Sequence, residues 1–387
     1  MKTAAHPDAA GLARDERYLR LALRLAQRAR GNTSPNPMVG AVLVKAGRII
    51  GRGWHHHAGA PHAEIEALRD AARHGESVRG ATLYVTLEPC SSHGRTPACT
   101  DAIIAAGLRR VVAAATDPNP QHVGRGFGLL RQAGIEVAHG LLAAEATRLN
   151  EVFNHWIVRR TPFVTVKAAM TLDGKIATAA GESQWITGET ARAHGMKLRR
   201  DADAVLVGIN TVLADDPGLT FRGPRTETRA NPRRRVILDS LARTPLSAKV
   251  VTDESAALTT VVVTKAAPAR RVAALARCVR VLTAPAERTR RCETPPRIDL
   301  RWLLKTLGAE GVTSVLVEGG GEVNAAFLEQ RLANRVAFFY APKILGGRDA
   351  RKGVAGAGAT GRRDMLWLRD VESHRLGPDL LLTARAD

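Results

Sequence analysis

The chain has 387 residues, a formal net charge of +20 and 45% hydrophobic residues. This length allows two domains with separate cores, and the hydrophobic fraction is ordinary for a globular protein. No apolar run in the sequence has the length of a membrane span, and residues 1–14 lack the apolar region of a secretory signal. We therefore expect a cytoplasmic protein that does not bind membranes. The basic residues are mostly scattered arginines and only 4% of residues are aromatic, which favours phosphorylated small molecules over nucleic acid as partners.

The first half of the chain is predicted to form a three-layer α/β unit with a mixed sheet. Residues 1–14 are expected to be disordered, and Asp15 is expected to cap a helix that extends to Ala29. The elements that follow alternate between strand and helix as far as about Asn150. They are strands at 39–44 and 49–54, a helix from about His62, a strand at 81–86, a helix from about Cys99, a strand at 109–115, and a last helix, strand and helix.

One stretch of this half has the residues of a zinc site. Pro-His-Ala-Glu at 61–64 is followed by Pro-Cys at 89–90 and, after eight more residues, by Cys99. One imidazole and two thiolates give three zinc ligands and leave a fourth position open, as hydrolytic zinc sites require. Glu64 is not needed as a ligand. It can carry a proton from a zinc-activated water to an amino leaving group, which predicts a deaminase.

Taken singly, these residues have ordinary explanations. A His-x-Glu sequence is usually an exposed helix start, and a lone cysteine is usually a small core residue. A disulfide between Cys90 and Cys99 is a further alternative, although nothing in the sequence indicates an oxidising compartment. The combination and its spacing favour zinc. Cys278 and Cys292 lack partner ligands and are predicted to be free thiols, and the consecutive histidines 55–57 are not expected to converge on one ion.

A second β/α series is predicted after a boundary near 159–162. Lys167 lies on an otherwise apolar strand of this series, which is unusual unless the side chain faces a cleft. The run Val-Glu-Gly-Gly-Gly at 317–321 leads from a strand into a helix, where backbone N–H groups can hold phosphate. It is not the Gly-x-Gly-x-x-Gly fingerprint of a Rossmann fold. The predicted strands are 163–168, 204–208, 235–239, 250–252, 260–264, 279–282, 314–318 and 336–341, and the basic stretch 223–234 is predicted to be a surface loop.

Several motifs together resemble the bifunctional deaminase–reductase family of riboflavin biosynthesis. The resemblance rests on the cysteine loop Cys-Ser-Ser-His-Gly-Arg-Thr-Pro-Ala-Cys (90–99), on Asp-Pro-Asn-Pro (117–120), and on the stretches 166–187, 205–220 and 315–321. The chain departs from the family at two positions of the cysteine loop. Ser92 replaces the usual histidine, a change expected to affect a polar contact to the substrate and not the metal site. Ala98 replaces the usual proline. The departure at 332–335 is expected to affect only the surface or an interface.

The resemblance implies a fold and a function. The expected fold is a cytidine-deaminase-like three-layer domain at 15–160 and a dihydrofolate-reductase-like domain at 161–387. The expected reactions are zinc-dependent hydrolytic deamination of 2,5-diamino-6-ribosylamino-4(3H)-pyrimidinone 5′-phosphate and NADPH-dependent reduction of its ribosyl group to ribityl. A homodimer formed through the reductase half is also implied. Two other functions are alternatives: a nucleic-acid or nucleoside deaminase with an accessory domain, and a non-catalytic zinc-stabilised binding protein. The eight-residue cysteine spacing and the second-half motifs disfavour the first, and Glu64 beside an open zinc position disfavours the second.

The resemblance also implies site residues, at the positions of this chain that match the family's motifs. The expected zinc ligands are His62, Cys90 and Cys99, and the expected catalytic residues are Glu64, Lys167 and Glu318. The expected NADPH-binding residues are Ala169, Trp185, Thr211, Asp215, Ser240, Gly320, Gly321 and Glu322. The expected substrate-binding residues are Asn36, His55, Arg95, Ser183, Arg199, Leu219, Arg222 and Glu318. Arg199 and Arg222 suit the clamping of a ribose phosphate, because guanidinium groups bind phosphate through paired hydrogen bonds.

Overall fold

The computed structural model describes residues 9–92, 97–221, 232–287 and 296–386. These residues form two compact units, with the division between Arg159 and Arg160. Each unit has its own sheet and its own hydrophobic core, which confirms the expected α/β class. No helix within these described ranges is long and apolar enough to cross a bilayer.

The first unit contains a five-stranded mixed sheet between two layers of helices. Its strands are β1 (Gly40–Lys45), β2 (Arg48–Trp54), β3 (Thr82–Leu87), β4 (Arg110–Ala115) and β5 (Glu136–His139). Its helices are α1 (Ala9–Gln27), α2 (Ala63–Arg73), α3 (Cys99–Ala105), α4 (Arg125–Gln132), α5 (Ala143–Leu149) and α6 (Glu151–Arg159). The strand order is β2-β1-β3-β4-β5, with β1 antiparallel to both neighbours and the last three strands parallel.

The two faces of this sheet bury different side chains, as alternation along a strand requires. Leu43 of β1 packs with residues of α2, α3 and α4 on one face, whereas Val42 packs with residues of α1 and α5 on the other. Two glycines of β2 let α2 lie close to the sheet. A Cβ atom at Gly53 would lie 2.2 Å from the Ala63 carbonyl oxygen, and one at Gly51 would lie 2.4 Å from that of Ala67. This close approach fixes the start of α2 beside the sheet.

The beginning of the first helix differs from the prediction. Residues 9–14 are helical, so the predicted disorder is wrong there, and residues 1–8 lie outside the described residues. Asp15 is not a cap: it is buried within α1, where it accepts a hydrogen bond from Tyr84 (2.7 Å) and two from Arg110 (3.0 and 2.9 Å). A buried carboxylate needs such partners, and the sequence does not reveal partners that lie 69 and 95 residues away.

The second unit contains a nine-stranded sheet and a separate two-stranded one. Its strands are β6 (Phe163–Thr171), β7 (Lys175–Ala177), β8 (Ala204–Gly208), β9 (Arg234–Leu238), β10 (Thr259–Thr264), β11 (Arg280–Ala284), β12 (Ser314–Val317), β13 (Arg335–Ala341), β14 (Arg351–Lys352), β15 (Arg369–Leu376) and β16 (Asp379–Arg385). Its helices are α7 (Glu189–Asp201), α8 (Ile209–Asp215), α9 (Lys249–Thr252), α10 (Ala269–Ala276), α11 (Leu300–Ala309) and α12 (Gly321–Glu329).

The strand order of the large sheet is β11-β10-β9-β8-β12-β6-β13-β16-β15, and β7 pairs with β14. The strands from β11 to β13 run parallel, while β16 and β15 are added antiparallel at one edge. The register pairs Val166 of β6 with Val317 of β12. The next residues along these two strands, Lys167 and Glu318, therefore lie side by side.

One predicted strand of this unit is wrong. Residues 250–252 belong to helix α9, in which Val250 and Val251 are buried. The valines favour a strand locally, but tertiary contacts decide: the Asp216 carboxylate accepts a hydrogen bond from the Lys249 N–H (2.9 Å), and Arg235 donates to the Val250 carbonyl oxygen (3.1 Å). Strands β7, β14, β15 and β16 were not predicted. Residues 223–231 of the predicted surface loop lie outside the described residues, and Arg234 belongs to β9.

Candidate functional site

Three residues of the first unit form the metal-ligand cluster that the sequence predicts. His62 directly precedes α2, Cys90 follows β3 and Cys99 begins α3. The His62 Nδ1 atom lies 3.3 Å from the Cys99 sulfur and 3.5 Å from the Cys90 sulfur, and all three donor atoms lie within 4.8 Å of one another. Tetrahedral zinc with ordinary Zn–N and Zn–S bonds separates such donors by about 3.6 Å. The donor types and their spacing therefore fit zinc.

The electrostatic environment of this cluster favours a thiolate at Cys90. The Cys99 thiol, the His62 ring and the Cys99 backbone N–H donate hydrogen bonds to the Cys90 sulfur. These bonds hold the pKa of Cys90 well below that of a free thiol, although burial of the thiol opposes the shift. A thiolate is the form that binds zinc.

Glu64 lies beside the ligands, on the first turn of α2, and is buried. Burial and the negative charge of Cys90 raise the pKa of Glu64 to about 7, with the nearby His62 acting in the opposite sense. A carboxyl group with a pKa near neutrality can both accept and donate a proton under physiological conditions. Glu64 therefore has the position and the protonation behaviour of a proton carrier.

His55 and Asn36 form a hydrogen-bonded pair next to the ligand His62. The His55 ring contacts the His62 ring edge to face, at 5.4 Å between centroids. His55 Nδ1 lies 3.1 Å from the Pro61 carbonyl oxygen and Nε2 lies 3.2 Å from Asn36 Nδ2. The first contact requires a proton on Nδ1, so Nε2 accepts from Asn36. Burial lowers the pKa of His55, which keeps the ring neutral.

The other two histidines of the run do not join the cluster. His56 contacts the Trp54 ring and the His57 ring bonds to the Ala58 carbonyl oxygen. Arg95, the remaining substrate-binding candidate of this unit, lies outside the described residues, as does Cys292. Cys278 is free and exposed.

Glu88 is a residue whose importance the sequence analysis missed. Its buried carboxylate accepts hydrogen bonds from four backbone N–H groups, those of Asp117 (3.1 Å), Gly124 (3.0 Å), Gly126 (2.9 Å) and Phe127 (3.4 Å). It thereby ties the loop 117–127 to the segment that contains Cys90. The sequence offered only a partial signal, a glutamate at the end of an apolar strand two residues before a ligand, and it does not reveal the four N–H partners.

Cys99→Ser is expected to lose zinc. A serine hydroxyl is a poor replacement for a thiolate, which zinc prefers. We expect zinc affinity to fall by at least about tenfold, the effect already produced by loss of an outer-shell partner. Metal analysis of the purified protein by mass spectrometry measures the change. Cys278→Ser, at an exposed cysteine far along the sequence, is the matched control and should keep its zinc. Equal zinc content in the two variants would contradict the ligand assignment.

A charged cluster forms in the second unit, where β6, β12 and α7 meet. The Arg199 guanidinium forms two hydrogen bonds with the Glu318 carboxylate, at 2.7 and 2.8 Å, and the Lys167 amine lies 3.7 Å from the same carboxylate. Burial of Glu318 opposes ionisation, but the charges of Lys167 and Arg199 outweigh it and hold the pKa at about 2. Glu318 is therefore ionised throughout the physiological pH range.

The other residues predicted to bind NADPH or substrate in this unit do not form a single cluster. Ser183 Oγ donates to the Asp215 carboxylate (3.0 Å), and a Cβ atom at Gly320 would lie 3.8 Å from Thr211 Oγ1. Gly321 has no room for a side chain, since a Cβ atom would lie 2.1 Å from the Lys352 carbonyl oxygen. In the described part of the chain, no hydrogen bond joins the other expected NADPH-binding residues to these pairs. Ala169 packs in a small core cluster, Trp185 is 66% exposed, the Ser240 carbonyl oxygen accepts bonds from Thr264, and Glu322 is exposed on α12.

Two predicted substrate residues of this unit need separate comment. Leu219 has a buried side chain in the core and a positive φ of 51°, so only its backbone can face a ligand. Arg222 lies outside the described residues. A neighbour that sequence analysis missed is Lys343, whose amine donates to the carbonyl oxygens of Trp185 (3.3 Å) and Ile186 (2.8 Å).

Comparison with known proteins gives one consistent result. The family model for the cytidine and deoxycytidylate deaminase zinc-binding region matches residues 12–115, and the model for the RibD C-terminal domain matches residues 162–382. A riboflavin biosynthesis protein RibD of Aquifex aeolicus is 44% identical over 368 residues, which cover 95% of this chain and 97% of that protein.

Solved structures of similar proteins agree with the sequence matches. Acinetobacter baumannii RibD superposes with a TM-score of 0.83 at 37% identity, covering 97% of this chain and 99% of that one. A Thermotoga maritima protein described as a diaminohydroxyphosphoribosylaminopyrimidine deaminase/5-amino-6-(5-phosphoribosylamino)uracil reductase has a TM-score of 0.78 at 36% identity, with the same coverage.

Proposed function

The chain belongs to the RibD family of riboflavin biosynthesis proteins, and we propose that its first unit performs the deamination and its second unit the reduction of this bifunctional enzyme. We assign residues 15–160 to the deaminase and residues 161–387 to the reductase. The division of the structure at Arg159 and the separate family matches support these limits. The cluster of His62, Cys90, Cys99 and Glu64 is the observation that carries the first assignment.

The deaminase substrate is assigned as 2,5-diamino-6-ribosylamino-4(3H)-pyrimidinone 5′-phosphate. Zinc bound by His62, Cys90 and Cys99 supplies a Lewis acid that makes water nucleophilic at neutral pH. The Glu64 carboxylate takes a proton from the attacking water and returns it to the leaving amino group, because ammonia departs readily only after protonation. Asn36 and His55 lie beside the ligand His62, and we assign both to the pyrimidine site. The two ring nitrogens of His55 are bonded to the Pro61 carbonyl oxygen and to Asn36, so His55 holds Asn36 in place, and the free amide atoms of Asn36 are assigned to the pyrimidine ring.

The reductase acts on the deaminated product, in which the ribosyl group is to become ribityl. NADPH supplies the hydride for this step. Opening of the ribose ring requires a proton at the ring oxygen, and the Lys167 amine is the group that we assign to this transfer. Glu318 holds Lys167 and Arg199 in place through the charged cluster described above. The N–H groups of Arg199 that Glu318 leaves free are assigned to the sugar phosphate.

We further assign the remaining ligand contacts by position in this unit. NADPH is assigned to Ala169, Trp185, Thr211, Asp215, Ser240 and the run 320–322, where a strand leads through glycines into α12. The substrate is assigned to Ser183, Arg199, Arg222, Glu318 and the backbone of Leu219. The bond from Ser183 to Asp215 supports adjacent binding of substrate and cofactor, since it joins a residue of each group. All cysteines in the described part of the chain are free, in keeping with a reducing compartment such as the cytoplasm.

Removal of zinc tests whether deamination belongs to the first unit and reduction to the second. A chelator is expected to abolish ammonia release by the full-length protein. Reduction of 5-amino-6-(5-phosphoribosylamino)uracil with NADPH should continue, because no ligand of the metal cluster lies in the second unit. Ammonia release and NADPH absorbance measure the two steps, and zinc added back should restore the first. Loss of both activities on chelation, without unfolding by circular dichroism, would contradict the assignment.

We propose that two copies of the chain associate through the reductase unit. Strand β15 forms one of the two edges of the nine-stranded sheet, and nearly all of its residues are exposed. An exposed edge strand presents unpaired N–H and C=O groups to another strand. Trp367, which is 75% exposed, and Val371, which is 58% exposed, add apolar surface at this edge.

Val371→Glu is expected to shift the protein from dimer to monomer, since it puts like charges at the pairing edge. Sedimentation velocity measures the change. Leu246→Glu, at another exposed apolar residue of the same unit, is the control and should leave the dimer intact. A monomeric wild-type protein would overturn the proposal.

A further inference from the structure

Among the described residues of the second unit, Arg235 has the largest fully buried side chain, and it has no part in the assigned site. It lies on β9 and is 1% exposed. A guanidinium group does not lose its proton in proteins, so burying it is unfavourable unless each N–H group finds an acceptor. The hydrogen-bond acceptors of Arg235 therefore show which segments of the unit its guanidinium holds in place.

All five N–H groups of this guanidinium are hydrogen-bonded. Nε donates to Thr259 Oγ1 (2.8 Å), and both terminal nitrogens bind the Asp253 carboxylate, at 2.6 and 2.8 Å. The two N–H groups that remain donate to backbone carbonyl oxygens, that of Val250 in α9 (3.1 Å) and that of Gly218 (2.9 Å). The bond to Gly218 reaches the loop that contains Leu219.

The segment Gly218–Thr220 lies between two arginines. Arg235 holds the Gly218 carbonyl oxygen from the core, and Arg199 Nη1 donates to the Thr220 carbonyl oxygen (3.3 Å) from the charged cluster. Between them, Leu219 has a positive φ of 51°, a conformation that a leucine keeps only where its neighbours hold it. A shift at Gly218 would consequently move Leu219 and the carbonyl oxygen that Arg199 binds.

We propose that Arg235 is a positioning residue for substrate binding in the reductase, which it serves by fixing the segment Gly218–Thr220 through the Gly218 carbonyl oxygen. The ligand is the phosphorylated ribosyl group of the deaminated pyrimidine. This inference rests on the proposed reductase function and deepens it. Arg235 does not touch the substrate; it acts through the backbone of the loop, with Asp253 holding the guanidinium in its bidentate orientation.

The matched control lies next to it on the same strand. Arg234 points to a different set of partners and pairs with Glu310, which Arg280 also binds. Within the described part of the chain, the Arg234 guanidinium bonds to Glu310 and not to the loop 216–220. Arg234→Lys therefore removes a guanidinium from β9 without releasing Gly218, whereas Arg235→Lys leaves a charge that can reach only some of the five acceptors.

The experiment measures steady-state reduction of 5-amino-6-(5-phosphoribosylamino)uracil by the full-length protein, together with NADPH binding by fluorescence. Arg235→Lys is expected to raise KM for the pyrimidine at least tenfold and to change NADPH affinity and ammonia release less than twofold. Arg234→Lys should leave all of these values unchanged. If Arg235→Lys does not fold, as judged by circular dichroism, Asp253→Asn is measured instead and should raise the same KM at least threefold.

Two results would overturn the proposal. One is a folded Arg235→Lys protein, or a folded Asp253→Asn protein in its place, with an unchanged KM for the pyrimidine. The other is a parallel loss of kcat, NADPH binding and pyrimidine binding, which a purely structural role would produce. A wild-type protein that does not reduce the pyrimidine at all contradicts the reductase assignment itself, so the two failures are distinguishable.

Discussion

Glu64→Gln is expected to abolish ammonia release while the protein keeps its zinc. An amide cannot take a proton from water or return one to the leaving amino group, and general acid–base catalysis typically contributes about 10²–10⁴-fold. The amide has nearly the same shape as the carboxylate, and Glu64 is not one of the three clustered ligands. We therefore expect the rate to fall by about 10³-fold or more at full zinc occupancy. Coupled detection of ammonia and metal analysis measure the two quantities.

Glu66→Gln provides the control for this variant. Glu66 lies on the same helix and pairs with Arg69 on its surface, so its change removes a carboxylate without touching the zinc ligands. It should retain wild-type deamination. Substantial ammonia release by Glu64→Gln would contradict the role of Glu64 as proton carrier.

Lys167→Ala is expected to lose reduction and to keep deamination. The variant removes the amine assigned to proton transfer and one of the two cations beside the buried Glu318 carboxylate. Loss of a single preorganised polar group of this kind lowers kcat by about 10²–10³-fold. NADPH oxidation with the deaminated pyrimidine measures the effect. Glu318→Ala should have a similar effect, since it frees both Lys167 and Arg199.

The pH dependence of reduction adds a further check. The pKa of Glu318 is about 2, below the ordinary value for glutamate. The ion pair therefore stabilises the fold above about pH 4.5, and this stabilisation is lost only as the pH falls from there towards 2. Glu318 should consequently contribute no ionisation to the pH profile of reduction near neutrality.

Lys305→Ala, at an exposed lysine on α11, is the control for Lys167→Ala and should keep both activities. Loss of ammonia release in Lys167→Ala would show that the two sites are coupled or misassigned.

The zinc cluster was predictable because the types of its residues and their spacing in the sequence already indicate a metal site. His62, Glu64, Cys90 and Cys99 are few and chemically distinctive, and a single metal constrains all of them. The Lys167–Glu318 contact was also foreseeable in part, since a lysine on an apolar strand needs a polar environment. The family resemblance implied Arg199 only as a clamp on the ribose phosphate, whereas the structure shows its paired hydrogen bonds to Glu318.

Other features could not be read from the sequence because they depend on distant partners. Asp15 resembles a helix cap until Arg110 is placed beside it. Residues 250–252 resemble a strand until Arg235 and Asp216 bind the backbone of α9. The role of Glu88 likewise depends on N–H groups up to 39 residues away. In each case the local preference of the chain was overridden by a buried polar group that required tertiary partners.

Product analysis with the full-length protein tests the central claim, that one chain deaminates a phosphorylated pyrimidine and then reduces its ribosyl group. The zinc-loaded protein is incubated with the diaminopyrimidine substrate, with and without NADPH, and the products are identified by mass spectrometry. Without NADPH, we predict equal amounts of ammonia and deaminated ribosyl product. With NADPH, we predict the ribityl product and consumption of NADPH equal to the ammonia released. Absence of ammonia release, or reduction of the pyrimidine before its deamination, would contradict the account.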